Sequence, residues 1–186
     1  MAKTLLEPSL LRKLLSADFE TGKLTWKERD ASFFPSDRAC RAWNTKWAGR
    51  PAFTSTTSWG YFQGSVLNIK FTGHSVIWAM FHNKWPQYQI DHINGIRTSN
   101  GINNLRDVPQ SVNVKNSKLS KRNSSGICGV MWDSSRSKWM AYGSSDGLRK
   151  TIGRYDCIGK AMLARQDFNG ENGFSNRHGV RNSFPL

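Results

Sequence analysis

Asp91-His92-Ile93-Asn94-Gly95, followed by Asn104-Leu105-Arg106-Asp107-Val108-Pro109 and then by Asn113, is the stretch on which the reading of this chain turns. The pattern predicts a short strand ending at Asp91-His92, a loop through Asn103, a second short strand over Leu105–Val108 and a helix opening at Pro109. Asn-Gly supplies turn chemistry after the first strand. Pro109 suits a first helical turn, where its missing N–H would be unpaired anyway. A carboxylate and an imidazole therefore stand side by side at the mouth of a loop.

Upstream, Tyr61 to Ile69 reads as two short strands and Ser75 to Phe81 as a buried helix ending before Trp85-Pro86, together a scaffold under the motif. Leu5, Leu6, Leu10, Leu11, Leu14 and Leu15 recur at helical spacing and predict an amphipathic helix over residues 5–17. Phe19 to Trp26, with its Thr21-Gly22 turn and alternating apolar residues, predicts a small hairpin. Residues 30–59, rich in Ser, Thr, Arg and Trp, read as irregular, either a loop across a polyanion or an insertion.

Downstream, Lys115 to Gly126 is basic and polar with hardly any apolar residue, the composition of a domain boundary. Beyond it, Ile127–Trp132, Lys138–Gly143 and Arg149–Tyr155 predict three strands, and Ile158–Phe168 a helix behind them. The expected organisation is a scaffold and motif module over 1–116, a basic linker over 117–124, a sheet-and-helix module over 125–170 and a flexible tail over 171–186. The fold class is α+β.

The 186 residues carry 27 Lys+Arg against 13 Asp+Glu, a formal net charge of +14, which points to a polyanionic partner with nucleic acid in the lead. The 38% hydrophobic content, with eight Trp and ten Phe, is enough for modest cores and argues against a disordered chain. No apolar run approaches the roughly 20 residues of a membrane span, and the N-terminus lacks a signal-peptide cleavage pattern. A soluble, cytoplasmic monomer is expected. Cys40, Cys128 and Cys157 are scattered, without C-x-x-C spacing, and are read as small buried hydrophobes.

Hydrolysis of a phosphodiester requires an activated water, a cation to neutralise charge in the transition state, and stabilisation of the leaving oxygen. Asp91 offers a hard oxygen ligand to a magnesium-type ion, and the side-chain carbonyl of Asn113 offers a second from the helix. His92 projects to the opposite side of its strand from Asp91. Its ordinary pKa near 6.5 suits a general base at neutral pH. Asn104 can hydrogen-bond the loop that bears His92 and hold the ring in place. Taken singly, each of these is an ordinary turn or solvated position; their joint spacing in a basic chain carries the chemistry.

Residues 74–116 resemble the His-Asn-His (HNH) endonuclease family of phages and mobile introns. The resemblance runs through His74-Ser75-Val76-Ile77-Trp78, Trp85-Pro86, Ile90-Asp91-His92-Ile93-Asn94-Gly95, Asn103-Asn104-Leu105-Arg106, and Asn113 with Asn116. It implies a ββα-metal fold in which His92 is the general base, Asn104 the middle asparagine, and Asp91 with Asn113 holds one Mg2+ or Mn2+ ion. Asn113 stands where many relatives have the final histidine. Ser99-Asn100-Gly101 stands where relatives often show Asp-Asn-Arg, a change expected to loosen the loop or remove a phosphate contact. His74 matches a recurrent family position and is expected to be a structural hydrogen-bonding histidine; His82 and His178 carry no assignment.

Residues 124–168 are similar to the Apetala/ethylene-response-factor type of DNA-binding domain often fused to such nucleases. The matching residues are Ser125 to Trp132, Lys138-Trp139-Met140-Ala141-Tyr142, Ile152-Gly153-Arg154-Tyr155, and Ala161 with Ala164-Arg165. The resemblance implies a three-stranded sheet entering the major groove. Met131 replaces the arginine usual in plant relatives, so base specificity does not carry over. Period-two geometry places Lys138 and Met140 on one face of the middle strand and Trp139 and Ala141 on the other. The expected DNA contacts are Arg97 and Arg106 in the motif, Lys115, Lys118, Lys121 and Arg122 in the linker, and Arg136, Lys138, Arg149, Lys150 and Arg154 on the sheet. The rival readings are a non-catalytic DNA-binding protein on a decayed nuclease scaffold and a basic RNA-binding or packaging protein.

Overall fold

The computed structural model describes residues 5–115, 119–120, 122–145, 147–175 and 178–179. The chain is mixed α and β, with small antiparallel sheets, and divides into two compact units, Met1–Val108 and Pro109–Leu186. Residues 109–116, expected with the first module, thus fall in the second unit. Among the described residues no helix is long and apolar enough to cross a membrane.

The first unit opens with α1 (Pro8–Leu14), which carries its proline in the first turn. The helix expected over 5–17 is shorter than its leucine pattern, because Leu15 turns to extended backbone (φ −134°, ψ 145°). Leu15 then opens β1 (Leu15–Asp18), which pairs antiparallel with β2 (Lys23–Trp26), Leu15 facing Trp26. Leucine doublets satisfy both periods, and here cross-strand pairing wins: Leu14 is buried from the helix and Leu15 from the sheet. The hairpin accordingly starts four residues before the expected Phe19. Its turn is held by the Asp18 carboxylate, which accepts from the Glu20 and Thr21 amides at 3.0 and 3.1 Å.

Residues 30–59 are not irregular. They hold α2 (Asp37–Trp47), with Ser36 as N-cap accepting from the Ala39 amide at 3.3 Å. Cys40, Trp43 and Trp47 share a helical spacing, and Trp43 packs edge-on against Trp26 at 5.7 Å. Asn44 clamps the preceding loop: its Oδ1 accepts from the Arg29 amide at 3.0 Å and its Nδ2 donates to the Arg29 carbonyl at 2.9 Å. The short β3 (Pro51–Ala52) then joins the first sheet beside β2.

A second sheet follows, ordered β4 (Ser55–Thr56), β5 (Phe62–Val66) and β6 (Ile69–Thr72). Leu67 and Asn68 connect the last two with φ of 48° and 64°, the doubly left-handed turn that matches hairpin twist. The chain passes directly into α3 (Gly73–His82), which ends at Asn83 in the left-handed region. Arg12 from α1 donates to Asn83 Oδ1 at 2.7 Å and to the Met80 carbonyl, bringing a cation to the negative end of that helix. The third sheet is β7 (Gln89–His92) paired with β8 (Leu105–Val108).

Leu11, Leu14 and Leu15, Val66 and Phe71, Val76, Ile77 and Met80, and Ile90 and Leu105 form one continuous core. The motif strands are therefore seated on α3 and the N-terminal helix. Truncating any of these leucines to alanine is expected to cost about 2–5 kcal/mol.

The second unit contains α4 (Gln110–Val114), then β9 (Val130–Asp133), β10 (Lys138–Ser145) and β11 (Leu148–Tyr155) in the order β11-β10-β9, and α5 (Ile158–Glu171). The expected three strands and helix are present with shifted ends. Its core is small: Val130, Ala141 and Ala161 are buried, with Ile127, Trp139, Ile152, Tyr155 and Ile158 packed around them. Past α5, Phe174 packs on Phe168 at 6.1 Å and the Ser175 amide donates to the Lys115 carbonyl at 3.1 Å, so this part of the expected loose tail is held. All three cysteines are free; Cys40 is buried as expected, whereas Cys157 is exposed at the N-cap of α5.

Candidate active site

The register of β7 and β8 sets Asp91 opposite Arg106 and His92 opposite Leu105. Both motif residues are buried, Asp91 at 6% and His92 at 3% exposure. Strand alternation sends them to different partners. Arg106 Nε and Nη2 both donate to Asp91 Oδ2, at 2.9 and 2.7 Å. Arg106, expected on DNA, thus neutralises the carboxylate expected on a metal.

His92 Nε2 lies 3.0 Å from Asn100 Oδ1, and its ring sits 5.7 Å from Tyr61 and 5.2 Å from His74. Burial pushes the imidazole below its ordinary pKa, the Asn100 hydrogen bond and the Asp91 charge oppose that shift, and the Arg97 charge reinforces it. The ring is consequently neutral near pH 7, the form a general base needs. His74 Nε2 is 3.0 Å from Thr72 Oγ1, a local hydrogen bond at the start of α3, while its ring faces His92.

Asn104 binds the loop, not the ring. Its Oδ1 accepts from the Asn94 amide at 2.9 Å, and its Nδ2 donates to Asn94 Oδ1 at 3.0 Å and to the Ser99 carbonyl at 2.7 Å. The Asn104 carbonyl also accepts from the Ile93 amide at 2.9 Å, carrying the strand ladder one step past His92. Loop rigidity, which the Ser99-Asn100-Gly101 sequence was expected to weaken, is supplied by these bonds. Gly101 has its own reason: a Cβ there would lie 2.2 Å from the Glu20 carbonyl oxygen of the N-terminal hairpin, leaving no room for arginine. Sequence reasoning missed Asn100, since Ser-Asn-Gly has the composition of an exposed turn while Asn100 is 2% exposed.

Outside the buried pair lies a cationic and aromatic lip. Arg97 is exposed, donates to the Trp59 carbonyl at 2.7 Å and lies 5.3 Å over the Tyr61 ring. Trp59 itself is 71% exposed. Neither Trp59, in the stretch read as irregular, nor Tyr61, read as part of a strand, was singled out for the site from the sequence.

Taken one by one, the Asp91 carboxylate and the Asn113 amide carry the kind of oxygen that a hard divalent cation takes. Asp91 belongs to β7 of the first unit and Asn113, half-buried, to α4 of the second. Among the described residues no group of three or more His, Cys, Asp and Glu is placed to hold a metal ion.

In the second unit the register puts Lys138, Met140, Met131 and Arg154 on the face away from Val130, Ala141 and α5. Several of the expected DNA-binding cations on this sheet are internally paired. Arg154 Nε and Arg136 Nη1 reach Asp133 Oδ2 at 3.0 and 3.4 Å, and Lys138 reaches Asp156 at 3.1 Å. Hydrogen bonds from Ser135 and Arg154, with the Arg136 charge, hold the Asp133 carboxyl down at about 2. Arg149 lies 4.0 Å over the Tyr142 ring, and Lys150 is exposed on the same strand. Lys115 donates to the Asn172 carbonyl at 2.8 Å, Arg122 is exposed, and Asn116, Lys118 and Lys121 lie outside the described residues.

Comparison with known proteins places this geometry. The family model of HNH endonucleases matches residues 73–115, from the first residue of α3 to the end of α4. Protein 3.8 of Escherichia phage T7 is 32% identical over 86 residues, which cover 46% of this chain and 71% of that protein. No solved structure matches. The buried Asp-His pair, the asparagine-tied loop and these likenesses agree, and the chain belongs to the HNH endonuclease family.

Proposed function

We propose that this chain is a divalent-metal-dependent, homing-type DNA endonuclease of a phage, whose second unit is an Apetala/ethylene-response-factor-like DNA-binding module. The observation that carries the nuclease reading is the buried, neutral His92 beside Asp91 at the end of β7, where Asn104 ties the following loop at both ends. His92 takes the proton from the water that attacks phosphorus, as general base. Asp91 would hold a magnesium or manganese ion, with Asn113 the second oxygen donor that the resemblance to this family implies, and the ion when bound would supply charge neutralisation at the phosphate and at the departing 3′ oxygen. The expected products carry 5′-phosphate and 3′-hydroxyl ends. Arg97 contacts backbone phosphate at the lip, and Arg149 and Arg154 on the outer sheet face, with the exposed Lys150 beside them on the same strand, contact duplex DNA.

The test is cleavage of supercoiled plasmid with magnesium, with EDTA and with the His92→Ala protein. Magnesium-dependent nicking or linearisation that the mutation abolishes, with DNA affinity retained, is the expected result. One observation favours a second reading: both Arg106 donors sit on Asp91 Oδ2, an arrangement that neutralises the carboxylate without a metal. Tight duplex binding with no cutting under any divalent ion would support that non-catalytic DNA-binding protein instead.

A further inference from the structure

The turn that joins β4 to β5 holds an indole in solvent beside the buried pair. Its backbone is bonded on both arms: the Thr57 amide donates to the Tyr61 carbonyl at 2.8 Å, the Gly60 amide to the Thr57 carbonyl at 2.9 Å, and the Tyr61 amide to Thr57 Oγ1 at 3.1 Å. Gly60, at φ +81°, supplies the left-handed step that this closure requires. Arg97 then pins the tip from the loop after β7 by donating to the Trp59 carbonyl. Trp59 is the most exposed large apolar side chain among the described residues, yet it stands on a fully bonded turn. A lone exposed hydrophobe is ordinary on a protein surface. One fixed beside a guanidinium, two residues from the Tyr61 ring that packs on His92, has a place to act.

We infer that Trp59 is a base-stacking residue at the rim of the site, and that the substrate it selects is DNA with unpaired bases next to the cleaved bond. An indole gains most from another π-face, whereas in matched double-stranded DNA those faces are covered by neighbouring base pairs and the grooves offer only edges and phosphates. An unpaired base presents its face. The cation that would hold the phosphate of such a strand is at hand, since Arg97 is exposed over Tyr61 in a chain of net charge +14. The reach is short. Tyr61 lies 5.7 Å from His92, ring to ring, and two residues span at most about 7 Å of chain. Trp59 therefore serves a base within a few nucleotides of the phosphate at which His92 would activate water. That position beside the cleaved bond rests on the proposed nuclease reading; the stacking does not.

The experiment measures binding by the full chain in EDTA, where no cleavage intervenes, to fluorescein-labelled DNA of one sequence offered as a single strand, as a duplex with a central unpaired bubble and as the matched duplex. The wild type is expected to bind the bubble more tightly than the matched duplex. Trp59→Ala should weaken binding to the bubble and the single strand roughly 5- to 100-fold, and to the matched duplex by about twofold or less. Trp59→Phe, which keeps a ring, should restore most of the loss. In wild-type protein labelled with 5-fluorotryptophan, the 19F resonance that Trp59→Phe lacks should shift when the single strand is added. An unshifted resonance would overturn the inference, as would a Trp59→Ala protein that binds the bubble with wild-type affinity or loses equally for all three probes. Tighter binding to the ribonucleotide strand of the same sequence would overturn it too, by assigning the indole to RNA. If Trp59→Ala does not fold, the 19F shift and the Phe variant decide. A wild type that cuts none of these probes with magnesium or manganese would sink the nuclease reading, while the binding series still decides the stacking.

Discussion

At the scale of single residues, protonation and packing make separate predictions. Burial lowers the pKa of His92, and the base we propose is the neutral ring, so protonation should silence cleavage only at a pH below the ordinary histidine value of about 6.5. The rate is expected to be flat through neutrality with its acid limb below that point; a profile still rising through pH 7 would contradict it. Gly101→Arg, which writes the residue common in relatives into this chain, should be destabilising, because its Cβ meets the Glu20 carbonyl at 2.2 Å. A loss of about 1–3 kcal/mol in urea unfolding is expected, and a neutral result would mean the hairpin yields. The strand end that carries Asp91 and His92 and the tie of Asn104 to the following loop were legible in the sequence because their spacing is local. Asn100 was not, since its burial depends on Gly22 and Gly73, far away in the chain.

At the scale of elements, the motif strands, the β5–β6 hairpin and α3 follow the sequence pattern closely, each marked by a turn or a period of its own. Two elements did not. The leucine doublets of α1 concealed the start of β1, since a doublet looks the same to a helix face and to a strand beginning. In α2 the spacing of Cys40, Trp43 and Trp47 and the Ser36 cap were present but lay within a polar, arginine-rich stretch whose composition pointed to a loop. What anchors α2 is Asn44, bonded to both backbone groups of Arg29. Asn44→Ala should therefore cost about 1–3 kcal/mol, leaving part-buried backbone groups without partners. Thermal unfolding would register the loss, and an unchanged midpoint would show that the loop stands without α2.

At the scale of the whole molecule, 27 basic against 13 acidic residues set the terms of binding. Affinity for duplex DNA should fall linearly with the logarithm of salt, with a slope that counts phosphates contacted. Deleting residues 124–186 should weaken binding and flatten that slope, measured by fluorescence anisotropy across a salt series; equal slopes would remove the second unit from the interface. The pairing of Arg136 and Arg154 with Asp133 sharpens the expectation, since those cations must exchange a carboxylate for a phosphate before they add to it. The close fit of Gly101 on Glu20 and of Asn100 on Gly22 reaches furthest. The loop after β7 and the N-terminal hairpin share one mould, so a change of side chain in one has to be matched in the other. A chimaera that imports a relative's loop without its hairpin would place an arginine where this scaffold has only a carbonyl.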